Sequence, residues 1–205
     1  WEWKEEYATT IRKQWAKLGL SLDYSREVFT LDERRNEAVR KVFVTLYEKG
    51  YLYRKEKIIN WDPVLKTALS NIEVVYKEIE GNMYYFRYYI ENSKDYIIVG
   101  TTRPETMFGD VAVFVNPKDK RYQHLKGKKV YNPANGDLLP ILFDEYVDID
   151  FATGAMKCTP AHDPNDYLLG EKYHLEQIVC MNLDATMNQK AGQYEGMDRF
   201  ACREA

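Results

Sequence analysis

Apolar positions recur at two different periods along the chain, and the change falls near residue 62. Before it, Tyr7, Ile11, Trp15 and Leu18 repeat at four- and three-residue spacing, which predicts one face of a helix. Gly19 ends that helix, and Arg12, Lys13 and Lys17 lie towards its C-terminal, dipole-negative end. The stretch "TLDE" at 30–33 reads as a capping box, with Thr30 capping and Glu33 reaching back. Val39, Val42, Phe43 and Leu46 form a second stripe, closed by Gly50. These positions are read as core, without a cofactor role. A pair of helices leaves such faces poorly covered, so they are expected to rest on the second half of the chain or on something outside it.

After "IINWDP", a short strand running into a turn, the pattern becomes β. Expected strands are "VVYKEI", "MYYFRYY", "YIIVGTT", "VAVFV", "KKVY", "LLPIL", "YVDI", "AMKCT" and "IVCM", rich in β-branched and aromatic residues. "EGN" at 80–82 and "NG" at 135–136 read as hairpin turns. A helix is expected from "DPNDYLLGEKY", with Asp163 as N-cap and Pro164 at its first position. The fold class is therefore α+β: a helical segment over 1–62, a linker over 63–72, and a barrel-like β domain with a few helices over 73–205.

Composition narrows the class. Apolar residues make up 45% of 205 residues, enough for a real core. No run of 18 apolar residues occurs, so no membrane contact is expected. Cys158, Cys180 and Cys202 lack C-x-x-C spacing, which points to reduced thiols in the cytoplasm and to no metal site. The net charge of −3 announces no nucleic-acid partner, so any such contact must be local. "KDKRYQHLKGKK" at 118–129 is the candidate for phosphate contact, with a solvated loop as the plainer reading.

Candidate chemistry sits in two stretches. "TTRPET" at 101–106 ends a strand with hydroxyls beside an Arg–Glu pair. "FATGAMKCTPAHDPNDY" at 151–167 carries Lys157 and Thr159 on a strand and Asp163 and Asp166 at a helix start. Partial positive charge there keeps carboxylates ionised, and ionised aspartates suit an ammonium and a hydroxyl. Helix capping explains the same pair without any ligand, and both roles can coexist. If the stretches meet, Thr101, Thr102, Arg103, Thr106, Lys157, Thr159, Asp163 and Asp166 enclose a small cavity of hydroxyls and mixed charge.

Through these residues the whole chain resembles the valyl-tRNA synthetase family. "WKEEYATTIRKQWAKLGLSLDYSREVFTLDE" resembles a segment of the class I catalytic domain, and "NWDPVLKTALSNIEV" its exit. From about residue 73 the chain resembles the inserted editing domain, with "TTRPET" and "TPAHDPNDY" as signature stretches. The resemblance implies hydrolysis of threonyl-tRNA(Val) within an enzyme that ligates valine to tRNA(Val) with ATP. It implies that Asp166 binds the α-ammonium group and is the catalytic candidate. Lys157, Thr159 and Asp163 would line the side-chain pocket. Thr101, Thr102, Arg103, Glu105 and Thr106 would belong to the threonine-rich wall, and Phe151 would lie beside the ester. The implied partner is the threonine-carrying 3′ end of tRNA(Val), with no cofactor held by this chain and a monomeric state.

Departures and rivals remain. The family reads Gly-Thr-Gly-Ala where "ATGA" stands here, so Ala152 is expected to tighten a turn. Phe108 and Asn116 replace the more usual Leu and His. The opening "WEWKEEYATT" and the end "DRFACREA" suggest an excised piece with an incomplete editing domain. His124, His162 and His174 form no H-x-G-H motif, so no complete ATP-dependent site is expected. A cysteine hydrolase built on Cys158 and His162 has no evident orienting or oxyanion partner. The competing reading is a catalytically inactive tRNA-binding piece.

Overall fold

Helix α1 spans Glu2–Lys17 and helix α2 Glu33–Glu48 in a computed structural model that describes residues 1–205. They belong to the first of two units, 1–56 and 57–205. Gly19 and Gly50 take positive φ, 70° and 74°, just past the two helix ends. The start of α2 differs from the expected capping box. Thr30 does not cap; Asp32 is the N-cap, its carbonyl accepting from Asn36 N–H at 2.8 Å. Its carboxylate reaches back to Phe29 N–H at 2.9 Å, which fixes the chain entering the helix. The stripe Val39, Val42, Phe43 and Leu46, expected as core, is exposed within this unit. Two helices present too little apolar area to bury one another's faces.

The second unit opens with a hairpin, strands β1 (Asn60–Asp62) and β2 (Thr67–Leu69). Its turn and second strand occupy part of the stretch expected as a linker. Strands β3 (Tyr84–Tyr89) and β4 (Tyr96–Thr101) form an antiparallel pair. Its alternation is that of a half-buried sheet: Tyr88, Ile97 and Val99 are buried while Tyr85, Tyr89 and Tyr96 face solvent. A four-stranded sheet follows in the order β6-β7-β5-β8. Its strands are β5 (Ala112–Val115), β6 (Lys129–Tyr131), β7 (Leu138–Phe143) and β8 (Ala155–Cys158). Only β5 and β7 are parallel; β5 is buried throughout, as its unbroken apolar run requires. The main core lies between the β3–β4 pair and this sheet, joining Tyr88, Ile97 and Val99 to Val113, Val115, Val130 and Ile141. Helices α3 (Pro164–Tyr173) and α4 (Arg199–Glu204) complete the unit.

The α+β class holds, and the β part consists of small sheets, none closed on itself. Three expected strands are not strands. "VVYKEI" leaves Val75, Tyr76 and Ile79 about four-fifths exposed, with no ladder beside them. In "YVDI" the carboxylates of Asp144 and Asp148 accept from Tyr146 and Asp150 N–H at 2.9 Å, so local turns replace a ladder. "IVCM" contributes a single bridge, Met181 to Met187. "EGN" precedes β3 without forming a hairpin, whereas "NG" turns β6 into β7 with Gly136 at φ 79°.

Candidate active site

Sheet register brings the two candidate stretches to one end of the fold. β5 pairs with β8 from Ala112↔Cys158 to Val115↔Ala155, and Val111 N–H donates to the Cys158 carbonyl at 2.9 Å. Asp110, just before β5, therefore lies beside Lys157 and Thr159. The chain leaves β4 at Thr101 and turns through a 3₁₀ segment, Pro104–Gly109, buried along its length. Gly109 is required in it. A Cβ there would meet the Ile178 carbonyl oxygen at 2.6 Å and Thr159 Cγ2 at 3.0 Å.

A cavity of about 460 Å³ opens between the stretches. Thr101, Thr102, Arg103, Thr106, Phe151, Lys157, Thr159, Asp163 and Asp166 all line it. Glu105 stands behind the wall instead, 1% exposed. It accepts from Arg203 at 2.7 and 3.0 Å and from Arg103 Nε at 3.4 Å. Burial opposes its charge, but the Arg203 and Arg103 guanidiniums hold its pKa below the usual carboxylate value.

The wall is tied to the helix start through Arg103. Its Nη1 donates to the His162 carbonyl at 2.7 Å, and its own carbonyl accepts from Thr106 Oγ1 at 2.9 Å. Lys157 sits in the floor, 8% exposed. Its ammonium donates to Thr106 Oγ1 and Asp110 Oδ1, each at 2.8 Å, and to Thr159 Oγ1. Thr159 Oγ1 donates to Asp110 Oδ1 at 2.7 Å, and Tyr88 OH donates to Asp110 Oδ2 at 2.7 Å. Burial pushes the Asp110 carboxyl up, while Lys157, Thr159 and Tyr88 pull against it.

Asp163 and Asp166 form the opposite rim. Asp163 caps α3 through Oδ1, accepting from Asn165 and Asp166 N–H at 2.8 and 3.0 Å. Asp166 Oδ2 accepts from Thr159 N–H at 2.8 Å, which ties the helix start to β8. Burial pushes the Asp166 carboxyl up to about 6, against the pull of that N–H and of Lys157. It is thus mostly ionised at neutral pH and readily reprotonated below it.

The thiol alternative finds no support. Cys158 is fully buried, its thiol pushed up by burial, with Sγ set against the Asp166 carbonyl at 3.7 Å. His162 is turned elsewhere: Nε2 accepts from Cys180 N–H at 3.0 Å. Burial, then Arg103 and Lys157, lower the imidazole to about 4. In the basic loop, Arg121 is engaged by Asp119, at 2.6 Å, and by the Ile149 carbonyl, at 2.9 Å.

Sequence reasoning missed Asp110, Tyr88 and Arg203. Asp110 carried a signal, an acid immediately before the unbroken apolar run "VAVFV". Tyr88 and Arg203 carried none, since their partners are 22 and 98 residues away.

The profile of the tRNA synthetases class I (I, L, M and V) matches residues 1–182. A valine--tRNA ligase of Halalkalibacterium halodurans is 63% identical over 204 residues, covering 100% of this chain and 23% of the relative. Those of Anoxybacillus flavithermus and Mycoplasma mycoides subsp. mycoides are 61% and 58% identical over the same shares. The chain thus spans about a quarter of the length of the curated relatives it matches. The crystal structure of the ternary complex of Agrobacterium radiobacter K84 agnB2 LeuRS-tRNA-LeuAMS is similar in fold, with a TM-score of 0.51 and 20% identity. That likeness covers 99% of this chain and 34% of the other.

Proposed function

The chain belongs to the class I tRNA synthetases of the I, L, M and V group, and on that premise we propose that its cavity hydrolyses threonyl-tRNA(Val), within a protein that ligates valine to tRNA(Val) using ATP. The observation that carries the reading is the convergence of "TTRPET" and "KCTPAHDPND" on one small cavity rimmed by two aspartates. Asp166 receives the α-ammonium group of the ester. Asp163 accepts a hydrogen bond from the threonine hydroxyl through the carboxylate that also caps α3. The threonine-rich wall and Phe151 hold the 3′-terminal adenosine and the ester. Water attacks the ester carbonyl, the bond to the ribose oxygen breaks, and threonine and the free tRNA hydroxyl leave.

The need for such a site is physical. Threonine and valine differ by a hydroxyl in place of a methyl. An apolar synthetic pocket rejects the hydroxyl only by ~10², a value already established for valyl-tRNA synthetases as a class. A second site that demands the hydroxyl separates them further, because valine leaves a buried acceptor unpaired. The test is release of threonine from threonyl-tRNA(Val) by the natural full-length protein, beside valyl-tRNA(Val). Release of threonine well above that of valine supports the reading. Binding of either tRNA without release replaces it with the tRNA-binding alternative.

A further inference from the structure

Lys157 raises a question that the proposed reaction does not answer. It is a buried cation in the same cavity as two carboxylates, and it touches neither. All of its ammonium protons go to Thr106, Asp110 and Thr159. Yet it is near enough to Asp166 to bear on its ionisation. A lysine stem is flexible, and its ammonium is the same chemical group as the α-ammonium of an aminoacyl ester. Left free, it would pair with Asp163 or Asp166 and fill the place of the ligand.

Asp110 engages that ammonium instead. It is fully enclosed, and its three polar contacts, Lys157, Thr159 and Tyr88, lie at 2.7–2.8 Å. Only one of these partners is charged, so the carboxylate and the ammonium neutralise each other in a medium where either alone would be costly. The Tyr88 hydroxyl holds the far oxygen and fixes the direction of the carboxylate. Thr159 turns its own proton inward to Asp110, and Thr106 turns its proton to the Arg103 carbonyl. The floor then offers the cavity oxygen lone pairs and no free proton.

We infer that Asp110, backed by Tyr88, is a positioning residue that holds the Lys157 ammonium in the floor, keeping it off Asp163 and Asp166. Those carboxylates stay open to the ammonium and hydroxyl of a ligand. This rests on the proposed function for the ligand's identity, but the internal switch of Lys157 can be read without one.

Asp110→Asn keeps the shape and removes the counter-charge. In the full-length protein, the Asp166 carboxyl, followed by carbon NMR, titrates lower in Asp110→Asn, partly because the Asp110 charge that raises it is gone and further because Lys157 moves onto it; adding Lys157→Met reverses the second part. A non-hydrolysable threonylamino-adenosine binds at least tenfold more weakly to Asp110→Asn. It regains most of that loss in Asp110→Asn/Lys157→Met, because the competitor is gone. A merely structural lesion would not be rescued by a second one. An unmoved Asp166 titration, or a double variant that binds no better than the single one, overturns the inference. If Asp110→Asn does not fold, Tyr88→Phe gives a smaller shift of Asp166 in the same direction, and no shift there is equally fatal. Failure of the native protein to release threonine or bind the analogue counts against the proposed function alone, since the titration still tests Asp110.

Discussion

Asp163 and Asp166 each serve the fold and the proposed ligand, and substitutions can separate the two services. Asp163 caps α3 with a single oxygen, so Asp163→Ala should cost about 1 kcal/mol of stability. Asp163→Asn keeps an amide oxygen for the cap and should recover that loss. If the carboxylate also takes the threonine hydroxyl, neither variant keeps the threonyl-over-valyl ratio of kcat/KM, which a hydroxyl-demanding site can hold near ~10⁴. Thermal unfolding and both kcat/KM values decide it; Asn restoring stability and ratio together reduces Asp163 to a cap. For Asp166 the expectation is sharper. Asp166→Asn retains an acceptor for the Thr159 N–H but loses the charge that meets the ligand ammonium. Losing one partner of a buried charge pair costs roughly 2–5 kcal/mol, so threonyl-tRNA deacylation should fall some 30- to several-thousand-fold. Undiminished deacylation would take Asp166 out of the site.

At the scale of elements, the loop before β8 holds a strained residue. Ala152 takes φ 50°, a left-handed conformation that costs an L-residue roughly 1–2 kcal/mol relative to glycine. Ala152→Gly relieves this but loosens the unfolded chain by about 0.4–1 kcal/mol, leaving a net gain between about 0 and about 1.6 kcal/mol. Denaturant unfolding should show a small stabilisation or none; a clear loss would mean that the Ala152 methyl, packed near Gly100, matters more than the strain. Gly109→Ala should act in the opposite sense, overpacking against a carbonyl oxygen and costing roughly 1–3 kcal/mol. Legibility in the sequence follows the same division. Period and punctuation exposed α1, α2, α3 and most strands, because those signals are local. Capping at Asp163 was legible for the same reason. The start of α2 was misplaced because Thr30 and Asp32 both offer a cap, and only the bond to Phe29 N–H decides between them. "VVYKEI" and "YVDI" have strand composition, but a strand needs a neighbour, which no local pattern records. The two wall stretches were legible as chemistry; their meeting, and the Asp110–Tyr88 pair beneath them, depend on the β5–β8 register.

For the molecule as a whole, every buried cluster lies within 57–205, and none lies in 1–56. The segment 57–205 made alone should therefore keep the amide protection of β5 seen in the whole chain, as read by hydrogen exchange. Among the groups that shape its response to pH, two buried ones pull in opposite directions. Asp166 has its pKa raised from 3.8 to about 6 by burial. Across that window the folded state keeps a proton that the unfolded state has lost, so stability falls as pH rises. His162 has its pKa lowered from 6.5 to about 4, chiefly by burial, then by Arg103 and Lys157. There the unfolded state keeps the proton, so stability rises with pH over nearly the same window. Each shift is worth up to about 3 kcal/mol, so these two contributions largely cancel from about pH 4 to 6. Asp166→Asn removes one arm and leaves the other. Relative to the native protein, the variant should gain little at pH 4 and up to about 3 kcal/mol by pH 6.5. Exchange of the β5 amides measured from pH 4 to 7 in both proteins reports the difference. A gap that does not widen with pH would show that Asp166 bears no burial cost, and would remove the stability sacrifice implied by holding a carboxylate in that cavity for an incoming cation.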